Sequence, residues 1–246
     1  MSVRSPRSKP NPAGRSFSQS DFNQFILEQN VVGFFEKPVT LKSGRSSNWY
    51  VNWRSVTSDA YLLLRTVEFV LAFARDKKLS MNCFYGVPEG ATKLAVVATM
   101  ELARTSSQFS KGSHVIAMGR AQAKEHGDPK DRYFVGMPKG KCVILEDVTT
   151  TGGSLLSTID HLMDSGVEAI AAVGLTNRME LRDDGASVEQ AIAKKSNGRI
   201  PYFAMSDALA LLPMAIQKTK PPRTVVDSIF DEFARFGVRP LQVEGM

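Results

Sequence analysis

The spacing of apolar positions changes repeatedly along the chain and predicts alternating helices and strands. Helical spacing predicts helices over 22–30, 60–77, a segment ending near Arg104, 155–163, 186–194, 207–216 and 225–236. Short β-prone apolar runs predict strands at 81–85, 114–118, 141–145, 169–175 and 202–203. Because strands alternate with helices through the middle of the chain, we predict an α/β fold with a mainly parallel sheet that is flanked by helices on both faces.

The N-terminal part departs from this alternation. Two short strands are predicted around a turn, at 40–45 and 48–53, and they indicate a small N-terminal subdomain over about residues 20–56. The core would follow over about 57–216, and a helical C-terminal extension over about 217–246. These parts form one predicted domain, 17–246, which a tail of residues 1–16 precedes.

The tail accounts for most of the net charge. Residues 1–16 are rich in Ser, Pro and Arg, which predicts disorder, and no acid precedes Asp21. The chain's net charge of +6 includes four positive charges from the tail, so the rest carries about +2 and a nucleic-acid partner is not indicated. A targeting peptide has a similar composition, but three prolines would break its amphipathic helix: Pro6, Pro10 and Pro12.

Composition indicates a globular protein without a membrane partner. At 246 residues with 43% hydrophobic content, the chain can bury a substantial core, and no stretch approaches the length of a membrane span. The two cysteines, Cys83 and Cys142, lie in apolar runs without metal-binding or redox spacing. We therefore expect reduced core cysteines and a cytoplasmic location.

The segment Glu146–Ser154 joins two carboxylates to a turn rich in hydroxyls and glycine. A predicted strand precedes it and a predicted helix follows, and phosphorylated ligands bind at such junctions in open α/β sheets. Backbone N–H groups and hydroxyls of the turn can bind a phosphate, while Glu146 and Asp147 suit ribose hydroxyls or a divalent cation. The alternative is an ordinary tight turn with a Ser N-cap. The segment has neither the Gly-Lys-Ser/Thr of a P-loop nor the spaced glycines of a dinucleotide site.

Polar residues follow four of the predicted strands, in the segments 86–90, 120–132, 146–154 and 177–178. The carboxyl ends of parallel strands meet at one edge of a sheet, so we expect these segments to converge there. The second one holds Arg120, Lys124 and His126, a cationic set that can close over a polyanion, although a solvated loop has a similar composition.

Together these segments resemble those of the type I phosphoribosyltransferases, and most closely the orotate phosphoribosyltransferases, over about residues 20–216. Residues 146–154 are similar to the family's signature for 5-phosphoribosyl 1-diphosphate (PRPP): two acids, an apolar residue and a Thr/Gly/Ser turn. Residues 40–45, with Trp49-Tyr50 close behind, resemble the hood over the pyrimidine. Residues 120–127 resemble the catalytic loop.

The resemblance implies the type I phosphoribosyltransferase fold with an N-terminal hood. It also implies a Mg²⁺-dependent reaction that transfers the phosphoribosyl group of PRPP to orotate and gives orotidine 5′-monophosphate in pyrimidine biosynthesis. The family resemblance further implies that the enzyme is a homodimer. The implied catalytic residues are Lys124, His126 and Asp147. The implied orotate-binding residues are Lys42, Tyr50, Thr150 and Arg178, with Arg178 pairing in bidentate fashion with the orotate carboxylate. The implied PRPP-binding residues are Arg120, Lys124, His126, Glu146, Asp147, Val148, Thr149, Thr150, Thr151, Gly152, Gly153 and Ser154. Mg²⁺ would bind mainly through PRPP, near Glu146 and Asp147.

Three positions depart from the family pattern. Ala121 stands where a lysine is usual, the 86–90 turn lacks the Tyr-Lys of some members and gains a negative charge at Glu89, and Asn177 replaces a frequent Asp. Two alternatives therefore stay open, a phosphoribosyltransferase for another base and a PRPP-sensing regulator without turnover. Outside these segments, His114 and His161 are expected to be structural.

Overall fold

The computed structural model describes residues 16–120, 122–126 and 132–243. The predicted disordered tail, apart from Ser16, and Ala121 lie outside these ranges. In chain order the helices and strands are α1 (Gln19–Glu28), β1 (Val32–Thr40), β2 (Ser46–Val51), α2 (Arg54–Ser58), α3 (Ala60–Asp76), β3 (Cys83–Gly86), α4 (Thr92–Thr105), β4 (Met118–Gly119), β5 (Phe134–Val135), β6 (Lys141–Thr149), α5 (Gly153–Asp164), β7 (Glu168–Asn177), α6 (Val188–Ser196), β8 (Tyr202–Asp207), α7 (Ala208–Thr219) and α8 (Arg223–Phe236).

A central parallel sheet has the strand order β3-β6-β7-β8, as the alternation of strands and helices predicts. Successive residues of β6 belong to two different clusters of buried side chains. Val143 and Leu145 belong to one cluster, and Cys142 and Ile144 to the other. Since side chains alternate between the faces of a strand, the sheet is covered on both sides, and β6 is therefore a nearly continuous apolar run.

Two strand predictions are wrong. The segment 40–45 contains the hairpin turn, because Leu41 N–H donates to the carbonyl of Arg45 at 2.8 Å, and the first strand lies earlier, at β1. The segment 114–118 contributes only Met118 to a strand, β4, which pairs antiparallel with β5 outside the central sheet. β5 lies on the far side of the 120–132 loop, and apolar spacing along the chain does not reveal such a partner.

The hairpin β1-β2 and the residues just after it pack against α1 and α8, the first and last helices of the described chain. Phe22 of α1 stacks on Trp53, with ring centroids 5.7 Å apart, and Phe233 of α8 stacks on Trp49 of β2 at 6.3 Å. Trp49 and Trp53 are therefore completely buried. The C-terminal helix α8 therefore packs directly against the hairpin. The domain boundaries near residues 56 and 216 stay predictions. Within the described ranges, no helix has both the length and the apolar character needed to cross a membrane.

Candidate active site

The site is built around the end of β6 and the start of α5. Glu146, Asp147 and Thr149 still belong to β6, so the two acids lie at the end of the strand and the turn begins after them. Gly152 is the N-cap of α5 with a φ of 71°, a conformation that favours glycine. A glycine has no side chain to cap the helix, so the N–H groups of the first turn are directed at the space in front of it. This is not the Ser-capped turn considered as the alternative.

The two carboxylates differ in their surroundings. Glu146 is buried, and its Oε2 accepts a hydrogen bond from Thr149 Oγ1 at 2.8 Å. Burial raises the pKa of Glu146 to about 8, opposed by the Thr149 bond and by Lys42. Burial also raises the pKa of Asp147. Any Cβ at Gly90 would overlap the Asp147 carboxylate, so this close approach requires glycine there.

Two adjoining cavities open at this edge of the sheet. The first has a volume of about 460 Å³ and is lined by the phosphate turn, the start of α5 and Arg120. The second has a volume of about 200 Å³ and is lined by the hairpin, the 87–90 segment and Asp147. Both cavities share part of one wall, which includes Lys42, Glu146, Val148, Thr150 and Ser154. A ligand with two linked parts can therefore span them.

The hairpin lies over this shared wall. Lys42, in the turn between β1 and β2, donates from Nζ to Ser154 Oγ at 2.8 Å, which connects the hairpin to the phosphate turn. Tyr50 is half-buried and lines the second cavity. Trp49 is completely buried beneath Arg178, whose guanidinium lies 3.6 Å from the ring centroid. Of this aromatic pair, Tyr50 is therefore the residue that a ligand in the second cavity can contact.

Arg178 lines the second cavity from a position that is 1% exposed. Four of its N–H donors have partners: Nε bonds Glu180 at 2.7 Å, Nη2 bonds Glu232 at 2.7 Å and Ser47 at 3.0 Å, and Nη1 bonds the Trp49 carbonyl at 3.3 Å. A guanidinium has five N–H donors. Among the residues that the structure describes, one N–H of Nη1 has no partner. A bidentate pairing with a carboxylate stays a prediction, and it would require Arg178 to give up one of these four bonds.

Of the described residues in the cationic segment 120–132, Arg120 lines the site. Arg120 lines the first cavity, its backbone N–H donates to the Tyr133 carbonyl at 2.9 Å, and its Nε donates to Phe134 O at 3.3 Å. Lys124 and His126 are exposed and do not line either cavity. Their predicted contact with a ligand requires the loop to move toward the site.

Three further residues belong to the site although the sequence did not indicate them. Arg54 lines the second cavity and opposes the raised pKa of Asp147. Arg182 Nη1 donates to the Thr151 carbonyl at 2.5 Å and so supports the phosphate turn. His161 lines the first cavity and stacks on Tyr133 with centroids 4.0 Å apart. His161 lies seven residues after Ser154 and so on the same face of the helix, and this spacing could have indicated its place in the site. No pattern in the sequence indicated Arg54 or Arg182.

The carboxylates of the site suit a metal ion that is bound mainly by the substrate. Within the ranges that the structure describes, no group of three or more His, Cys, Asp and Glu side chains could hold a metal ion. Glu146 and Asp147 supply two carboxylates beside the cavities. Mg²⁺ is commonly bound by one or two carboxylates together with substrate phosphates, so the residues fit Mg²⁺ that is held mainly by a bound diphosphate.

Two curated relatives and one crystal structure that resemble this chain carry the same enzyme name. A curated orotate phosphoribosyltransferase from Marinobacter nauticus is 30% identical over 178 residues, which cover 72% of this chain and 79% of the relative. Another from Bordetella petrii is 29% identical over 208 residues, which cover 81% and 89%. The crystal structure of an orotate phosphoribosyltransferase from Francisella tularensis matches with a TM-score of 0.62 at 19% identity over 88% of this chain and 99% of that one, a likeness that shows the fold. No protein-family model matches.

Proposed function

Since the chain belongs to the orotate phosphoribosyltransferase family, we propose that it transfers the 5-phosphoribosyl group of PRPP to orotate, giving orotidine 5′-monophosphate and pyrophosphate for pyrimidine biosynthesis. The observation that carries this proposal is the pair of adjoining cavities with a shared wall. The first offers a turn and a helix N-terminus for the 5′-phosphate. The second offers Tyr50, Lys42 and Arg178 for a planar, anionic base.

The proposed reaction displaces pyrophosphate at the anomeric carbon of the ribose. N1 of orotate forms the new bond to C1, the bond from C1 to the pyrophosphate oxygen breaks, and the N1 proton is lost. Positive charge grows on the ribose while negative charge grows on the leaving group. Glu146 and Asp147 would accept hydrogen bonds from the ribose hydroxyls, so a negative charge at Asp147 would face the developing positive charge.

The leaving group needs fixed positive charge. We assign this role to Arg120, which lines the first cavity, and to Lys124 and His126 once the loop has closed over the site. Closure would also exclude the water that otherwise attacks the ribose. Lys42 lies at the shared wall and can serve both the base and the pyrophosphate.

Mg²⁺ is the proposed cofactor. Asp147, and Glu146 once it has lost its proton, would hold its coordination shell while PRPP supplies the main ligands. Bound there, Mg²⁺ would neutralise charge on the diphosphate.

The orotate itself is held by fewer charged contacts than the family resemblance implies. The one uncommitted N–H of Arg178 can reach a ligand in the second cavity, together with Thr150 and the ring of Tyr50. Arg178 is already neutralised by two glutamates. Lys42 then supplies the nearest ammonium charge for the orotate carboxylate, which gives it a larger role in recognition.

The test mixes the purified full chain with PRPP, Mg²⁺ and orotate, and follows the loss of orotate absorbance. We expect turnover that EDTA abolishes, and none with adenine, hypoxanthine or uracil in place of orotate. Turnover with a purine but not with orotate would replace this function by transfer to another base. PRPP binding without turnover on any base would favour the regulator.

We also propose that the protein is a cytoplasmic homodimer, as the family resemblance implies. Large apolar side chains on α3 and α4 are exposed, with Tyr61 at 70% and Met100 at 53%, and they offer surface for a second copy. Sedimentation should give twice the chain mass of 27.0 kDa; a monomer at micromolar concentration would contradict the dimer.

A further inference from the structure

A cluster of four charged side chains, three of them buried and one, Arg45, half-buried, surrounds Arg178 at the wall of the second cavity. Its members alternate in sign from the hairpin to the C-terminal helix: Arg45, Glu180, Arg178 and Glu232. Arg45 Nη1 lies 3.0 Å from Glu180 Oε2, Glu180 Oε1 lies 2.7 Å from Arg178 Nε, and Glu232 Oε1 lies 2.7 Å from Arg178 Nη2. The four charges cancel, so the cluster can remain buried at a tolerable cost.

Glu232 connects this cluster to the hairpin. Its Oε1 also accepts a hydrogen bond from Trp49 Nε1 at 3.1 Å, and its Oε2 lies 2.8 Å from Ser47 Oγ. Trp49 and Ser47 belong to β2, and Trp49 also supplies the flat face beneath the Arg178 guanidinium. One carboxylate on α8 therefore holds three groups: the guanidinium, the indole and the hydroxyl.

The backbone fixes α8 relative to Arg178. Leu181 N–H donates to the Phe236 carbonyl at 2.6 Å, and Val238 N–H donates to the Met179 carbonyl at 2.9 Å. Both bonds join the residues just after Arg178 to the residues that follow Glu232, at the end of α8. Glu232 consequently meets Arg178 from a defined direction, and the guanidinium plane cannot turn without breaking several bonds.

From this geometry we infer that Glu232 is a positioning residue for recognition of the base. It orients Arg178, which lines the second cavity, so that the Nη1 N–H without a partner among the described residues can reach a ligand there. The inference rests on the proposed function, because it takes the ligand of that cavity to be orotate. It gives the C-terminal helix a part in substrate selection, although α8 itself contributes no lining residue to either cavity.

The first variant is Glu232→Ala in the full chain. Without its carboxylate anchor, the guanidinium can rotate away from the cavity. We expect the KM for orotate and the orotate Kd from calorimetry to rise about tenfold or more, while the KM for PRPP stays within about twofold. Glu232→Gln should recover most of the loss, because its amide oxygen still accepts from Arg178. Asp231→Asn removes the neighbouring exposed acid of α8 and should change nothing.

The second measurement is a double-mutant cycle. In an Arg178→Ala background, Glu232→Ala should have no further effect on the orotate Kd, because the group that it positions is gone. An equal rise of Kd in both backgrounds would overturn the inference. An equal rise of both KM values, or a fall in kcat with the orotate KM unchanged, would also overturn it and indicate a merely structural role.

Ser47→Ala provides the test if Glu232→Ala does not fold. It removes one small hydroxyl that contacts both Glu232 and Arg178, and should raise the orotate Kd about threefold without affecting PRPP. An unchanged Kd would contradict the inference. The wild-type chain separates the two proposals: orotate binding without turnover would refute the proposed function, while normal turnover with unresponsive variants would refute the role of Glu232.

Discussion

Lys124 is the residue on which the proposed chemistry depends most. It is exposed, and its backbone N–H donates to the Arg132 carbonyl at 2.9 Å, so the loop is tied at this residue while the ammonium group projects into solvent. A charge that reaches the leaving group only after closure stabilises the transition state more than the bound substrate.

We predict that Lys124→Ala lowers kcat on the order of a hundredfold and weakens PRPP binding by less than about threefold. Steady-state kinetics and PRPP titration measure the two effects. Lys111→Ala, at another exposed lysine, is the matched control and should be silent. Equal losses in kcat and PRPP affinity would argue against a role confined to the transition state.

At the scale of elements, the segment after β7 supports two parts of the site at once. Arg178 and Glu180 face the hairpin and α8, while Arg182 reaches across to the phosphate turn. Arg45 of the hairpin turn binds this segment at Glu180 and Asp183. The segment after β7 therefore holds both the phosphate turn and the hairpin, which contributes lining residues to the second cavity.

The support of the phosphate turn can be tested separately. Arg182→Ala removes the donor to the Thr151 carbonyl, so the turn should lose its fixed geometry and its N–H groups should be less well directed. We predict that the KM for PRPP rises about fivefold while the KM for orotate changes little. Lys194→Ala on α6 serves as the control. Parallel changes in both KM values would mean that Arg182 supports the whole site.

At the scale of the whole molecule, buried polar groups as well as apolar packing join the hairpin, the central sheet and the C-terminal helix α8. Each such group lowers stability unless its partners compensate for the loss of water. The cluster around Arg178 is electrically balanced, whereas Glu146 has a hydroxyl partner and an acidic neighbour. Glu146 should therefore make global stability depend on pH.

The sign follows from proton uptake. The folded protein holds a proton on Glu146 up to a pKa of about 8, whereas the unfolded chain releases it near the ordinary value of 4.5. Folding thus binds an extra proton between these pH values, and the free energy of unfolding falls as pH rises through that window. Above about pH 8 the loss is complete.

Glu146→Gln should remove the part of this dependence that comes from Glu146, while the raised pKa of Asp147 keeps its own part. We predict that the variant gains roughly 2–4 kcal/mol in unfolding free energy relative to wild type between pH 5 and pH 8.5. Urea unfolding without ligand and with EDTA measures the difference, and Glu189→Gln on α6 is the exposed control. A difference between variant and wild type that is constant with pH would contradict the buried, protonated state.

The sequence by itself determined the class of fold and the family. Its apolar periods located the four strands of the parallel sheet to within a few residues, since burial on both faces leaves β6 and β7 continuously apolar. Its motifs indicated orotate phosphoribosyltransferase, which the relatives confirm. The sequence also predicted that Glu146–Ser154 lies at a strand-helix junction, because the residues that form this turn are consecutive in the chain.

Only the tertiary structure decided which atoms remain available to a ligand. Glu232 lies 54 residues from Arg178, and no spacing rule connects them, so the sequence alone left the guanidinium free for a bidentate bond. The antiparallel partner of β4 and the contact of Arg182 with Thr151 were hidden for the same reason. Patterns along a chain report periodic burial and local turns, whereas the pairing of polar groups depends on where distant segments meet.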